Sequence, residues 1–126
     1  MVVADMEAGL EHLSWAGGTL RHVDLLLIVA QPQVKSLLTA KRTFRLARQL
    51  GIPRLGLVGS RSERPGDDER LAAFAAEHDV DLLSVIPRDD AVIEADRAGA
   101  CVLDLHPKAP AVLAITGLAD RIQGVA

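Results

Sequence analysis

The sequence predicts a three-layer α/β domain, a mostly parallel sheet of roughly four to five strands flanked by helices. Three observations carry that prediction. Apolar runs at Met1–Ala4, Val23–Ala30, Leu55–Val58 and Val80–Ile86 are continuous rather than alternating, as strands buried on both faces require. A turn signal and then a helical pattern follow each run. Hydrophobic residues make up 49% of the chain but aromatics only 2%, so the core must be filled by Leu, Val, Ile and Ala, the usual filling of a helix-covered parallel sheet.

The elements follow in order. Residues 33–50 place Val34, Leu37, Ala40, Phe44 and Ala47 at three- and four-residue spacing, an amphipathic helix. Its other face carries Lys41, Arg42, Arg45 and Arg48 and reads as a solvated surface. Gly51 ends this helix and Pro53 opens the next strand. The second crossover starts at Pro65-Gly66-Asp67-Asp68, where the aspartates favour a helix start, and buries Leu71, Phe74 and Ala75. A third helix starts near Asp89-Asp90 and runs through Val92, Ile93 and Ala95 to the C-cap Gly99. Cys101 to Leu105 reads as a short extended piece. A last helix begins at about Ala109, with Pro110 suited to its first turn, and turns Ala111, Ile115, Leu118 and Ile122 inward. The 126 residues form one domain, its crossovers expected to be right-handed.

Composition excludes several classes. The net charge of −3 and pI near 5.7 leave no electrostatic footprint for nucleic acid, and the scarcity of aromatics leaves no stacking platform. Cys101 is the single cysteine, which excludes an internal disulfide or a Cys-x-x-Cys clip. It reads as a small buried apolar residue. The longest apolar run is far too short to span a membrane. Asp5, Glu7 and Glu11 break the N-terminal apolar stretch and no basic region precedes it, so no signal peptide is read. The expected location is cytoplasmic. His12, His22, His78 and His106 lack H-x-x-x-H spacing, and no serine sits in a G-x-S-x-G elbow.

The first thirteen residues carry the most chemistry. An apolar run ends in Asp5, and Gly9 follows four residues on. In P-loop nucleotidases such a strand delivers a carboxylate to the carboxyl edge of a parallel sheet, where it holds the water shell of Mg²⁺. The glycine lets the next loop respond to a γ-phosphate. The phosphate cradle itself, G-x-x-x-x-G-K-[ST], does not occur: none of Lys35, Lys41 and Lys108 follows a glycine.

Six stretches then point to one family. They are Asp5-Met6-Glu7-Ala8-Gly9-Leu10-Glu11-His12-Leu13, Val23–Val29, Gln31-Pro32, Val58-Gly59-Ser60-Arg61, Ile86-Pro87-Arg88-Asp89-Asp90 through Glu94-Ala95-Asp96, and Leu103-Asp104 with Pro107 and Pro110-Ala111-Val112. In that order they resemble the C-terminal half of the nickel-insertion ATPases that mature carbon monoxide dehydrogenase. Those are relatives of the septum-site and chromosome-partitioning ATPases and of the nitrogenase iron protein. The resemblance implies a partial P-loop NTPase, Rossmann-like, that starts at the Walker B strand and takes ATP or ADP with Mg²⁺. By it, Asp5 is the carboxylate on the Mg²⁺ water shell, and Glu7 through Gly9 are switch II. Ser60 and Arg61 stand in a Val-x-Asn-Lys element whose Asn reads adenine, and Pro87 and Arg88 open the loop over the base. Ser60 departs from the family Asn, offering one donor and one acceptor in place of a two-point amide edge. The family's phosphate loop and its Cys-x-Cys metal pair precede the matched region, so neither phosphate nor nickel binding is carried over.

The expected function is therefore a truncated or degenerate ATPase-like protein of metalloenzyme maturation, without independent ATP hydrolysis. The alternatives are half of a split ATPase, or part of a longer ATP-binding metallochaperone whose phosphate loop is encoded upstream. A phospho-receiver is a third class, but Asp5 has no adjacent acid and no strand end supplies the remaining groups. The expected partners are a second copy or a protein carrying the other half, and a metalloenzyme client. Met1–Ala4 would be the strand left with an unpaired edge, which invites pairing with another chain.

Overall fold

The computed structural model describes residues 1–6 and 22–124. Its elements are β1 (Leu26–Ala30), α1 (Val34–Gln49), β2 (Leu55–Ser62), α2 (Asp67–Glu77), β3 (Asp81–Pro87), α3 (Asp90–Arg97), a single turn α4 (Val102–Leu105) and α5 (Pro110–Ile122). The strands form a parallel sheet in the order β1-β2-β3. Among the described residues no helix is long and apolar enough to cross a membrane.

Sequential parallel strands joined by crossovers of one hand place their helices on one face. Leu37, Ala40 and Phe44 of α1 meet Leu71, Phe74 and Ala75 of α2 over Ile28, Ala30 and Leu57 of the sheet. The rings of Phe44 and Phe74 lie 6.1 Å apart. α5 covers β3 on the other face: Ser84 Oγ donates to the Ala114 carbonyl at 3.2 Å, and Arg121 Nη1 donates to the Leu83 carbonyl at 2.5 Å. β2 is the central strand and is buried from Gly56 to Gly59, which accounts for its unbroken apolar run.

Several expectations are corrected. The sheet has three strands among the described residues, not four to five. Met1–Ala4 is not a strand: it has no regular structure, and Val2 is 95% exposed. A strand needs a hydrogen-bonding neighbour, and among the described residues β1 pairs only with β2, so apolar composition alone left that segment in solvent. Cys101 to Leu105 is a helical turn rather than an extended piece, and Cys101 is exposed. Val34 and Ile115 face solvent, whereas Leu37, Ala40, Phe44, Ala47, Ala111 and Val112 are buried.

Candidate functional site

Ligands of open parallel sheets collect at the carboxyl ends of the strands, where the loops diverge. Here that edge is formed by the ends of β2 and β3. Gly59 brings β2 out from under α2. A Cβ at this position would lie 2.5 Å from Leu71 Cδ1, so a side chain just before the site would have to displace the tip of the Leu71 side chain. Ser60 follows, half-buried and opposite Ile86. The register then breaks between Ser60 and Ser62, and Arg61 bulges outward with a left-handed φ of 54°. Its guanidinium is exposed and forms no ion pair among the described residues.

Pairing resumes with Ser62 opposite Pro87. The Ser62 carbonyl accepts from Arg88 N at 2.9 Å, and its hydroxyl donates to the Asp68 carboxylate. Arg88 is held between Glu63, at 3.4 Å, and Asp90, at 3.0 Å. The structure thus brings Ser60, Arg61, Pro87 and Arg88 to one ledge, but Arg88 is engaged with two carboxylates. Asp5 lies in the exposed segment 1–6. Glu7 and Gly9 fall outside the described residues.

Two aspartates frame the ledge. Asp67 accepts from the amides of Arg64 at 2.8 Å and Glu63 at 3.0 Å, closing the loop between β2 and α2. Those amides hold its carboxyl below the usual carboxylate value, Arg64 first. Asp89 caps α3 by accepting from Ala91 N, and it also accepts from Ala111 N at the start of α5, both at 3.0 Å. The Ala111 amide, then that of Ala91, holds its carboxyl below the usual carboxylate pKa against the opposing effect of burial, with help from His106. One carboxylate therefore ties two helix starts beneath the base-side loop. The sequence marked Asp89 only as the start of one helix. Its second role was partly signalled by Pro110, which leaves the following amide in need of an acceptor.

The chemistry of the ledge can be tested against the implied nucleotide. A hydroxyl with one donor and one acceptor, a proline ring and an exposed guanidinium suit a flat polar heterocycle such as a purine base. The amides of Glu63, Arg64, Asp67 and Arg88 already donate within the protein, so they form no anion-binding nest. Nor do the described residues bring together three His, Cys, Asp or Glu side chains that could hold Mg²⁺.

No family model matches the chain. It is 40% identical to the carbon monoxide dehydrogenase accessory protein CooC of Rhodospirillum rubrum, over 98% of this chain and 48% of that protein. It is 41% identical to an uncharacterized ATP-binding protein of Methanocaldococcus jannaschii, over 79% of this chain and 38% of that one. Among solved structures, the cell division ATPase MinD of Pyrococcus furiosus superposes with a TM-score of 0.77 at 27% identity, over 97% of this chain and 51% of that one. The chain spans less than half the length of these two sequence relatives.

Proposed function

Because the chain is a relative of the carbon monoxide dehydrogenase accessory protein among the MinD-like P-loop NTPases, we propose that its 126 residues supply the base side of an ATP-binding fold and hold no phosphate site of their own. The observation that carries this reading is the ledge itself. Ser60, Arg61 and Pro87 converge at the carboxyl end of the sheet, while the amides around them are engaged internally. On this reading Asp5 and the Glu7–Gly9 stretch retain the Walker B and switch II pattern, and the whole acts in metalloenzyme maturation.

Hydrolysis would then require a phosphate loop from another segment or another chain. β1 offers an edge for either. Its outer edge has no partner strand among the described residues, and Val29 on it is 63% exposed, the kind of edge that recruits a further strand. The test is phosphate release from ATP and Mg²⁺ by the purified chain. The reading expects no release above background, because the lysine-bearing loop supplies the main charge stabilisation of γ-phosphoryl transfer. Sustained release that Asp5→Ala abolishes would refute it.

A further inference from the structure

The basic face of α1 takes no part in the ledge, yet it forms a groove with the turn that closes α2. Lys41, Arg45, Arg48 and Gln49 line one wall and His78 the other, around about 470 Å³. The floor of this groove is fixed by hydrogen bonds. Arg48 Nη2 donates to the His78 carbonyl at 2.5 Å and to the Asp79 carbonyl at 3.3 Å, tying α1 to a turn in which Asp79 adopts a left-handed φ of 54°. The His78 ring packs on Phe74 with centroids 4.4 Å apart. Lys41 and Arg45 are exposed and form no ion pair among the described residues. Among the described residues no carboxylate lines the groove, although the chain as a whole carries a net charge of −3.

We propose that this groove docks an acidic peptide segment that presents several carboxylates in a row. Lys41, Arg45 and Arg48 span eight residues of helix, a row about 10 Å long. Alternate side chains of an extended segment stand about 7 Å apart, so two or three carboxylates can meet the three cations with charge-assisted hydrogen bonds. The amides of Leu50, Gly51, His78 and Asp79 all donate to helix carbonyls, so no backbone nest adds to the side-chain cations in favour of a single compact phosphate, and the row favours carboxylates spread along a segment. Among the described residues no Phe or Trp lines the groove, so these residues offer a single-stranded nucleic acid no stacking platform.

The probe is a fluorescein-labelled hexaglutamate, titrated with the full chain and followed by anisotropy. Binding is expected at low ionic strength and should weaken in about 0.3 M salt, where exposed charges are screened. Lys41→Glu and Arg45→Glu should each weaken binding about tenfold or more, because a like charge then faces the ligand. Arg42→Glu makes the same change in net charge outside the groove and should alter affinity by no more than about twofold. Circular dichroism establishes that each variant is folded. Three results would overturn the proposal: no low-salt binding by folded wild type, equal losses for Arg42→Glu and Arg45→Glu, or tighter binding of pyrophosphate or single-stranded DNA than of hexaglutamate.

Discussion

Arg61 separates what the ledge owes to its backbone from what it owes to a side chain. Its φ of 54° costs an L-residue about 1–2 kcal/mol relative to the right-handed regions. Glycine escapes that cost but loses about 0.5–1 kcal/mol more conformational entropy on folding. Arg61→Gly should therefore stabilise the protein by about 0.5–1 kcal/mol. For a chain of 126 residues this corresponds to a rise in Tm of about 2–4 °C. Arg61→Ala keeps the strain and should leave Tm nearly unchanged. Arg61→Val adds β-branching and should cost about 1 kcal/mol more. Thermal unfolding by circular dichroism gives the order Gly, then Ala and Arg together, then Val. Adenosine binding, read in the same variants, should fall equally in Gly and Ala, because both lack the guanidinium. A glycine variant no more stable than the alanine variant would refute the backbone argument.

The remaining predictions concern the core, the capping carboxylate and the base-reading position. Phe44 is 1% exposed at the junction of α1, α2 and the sheet, so Phe44→Ala should cost about 3–5 kcal/mol in denaturant unfolding. Ile115→Ala, at a position 46% exposed, should change stability by less than about 0.5 kcal/mol. Asp89 has a folded-state pKa below its ordinary 3.8, so its contribution is fully present above that value and is lost as the pH falls through the lower folded value. Asp89→Asn should lower Tm at neutral pH and flatten its decline on acidification below about pH 4; an unchanged pH profile would contradict the double cap. Ser60→Asn restores a two-point amide edge and should tighten adenosine binding about fivefold, the equivalent of one further hydrogen bond. Calorimetry that shows no gain would remove Ser60 from the base contact.

Local patterning made most of the fold legible. The spacing of Leu37, Ala40, Phe44 and Ala47 marks α1, and Leu71, Phe74 and Ala75 mark the buried side of α2, because each helix covers one face of a sheet. What the pattern missed depends on neighbours. Met1–Ala4 has the composition of a strand, yet pairing is decided by an adjacent strand and not by composition. Cys101 to Leu105 is apolar but mostly exposed, and the stretch closes as a turn through Leu105 N and His106 N donating to the carbonyls of Cys101 and Val102. At the site, Ser60, Arg61 and Pro87 could be found from the strand-end motif. The bulge that flips Arg61 outward could not, since a register shift is a property of two strands. The reach of Asp89 across 22 residues to Ala111 is hinted at only by Pro110, and the Arg48 tie to the carbonyls of His78 and Asp79 has no local signature.

The central claim is that the described ledge meets a base and nothing in it meets a phosphate. Isothermal calorimetry of the 126-residue chain with adenosine, ADP and ATP in the presence of Mg²⁺ tests it most directly. The account predicts weak binding with affinities within about threefold of one another, since added phosphates find no preformed cradle in the ledge and each tenfold in affinity requires about 1.4 kcal/mol of new interaction. ATP binding about a hundredfold tighter than adenosine would contradict it, because a phosphate site would then exist within these residues.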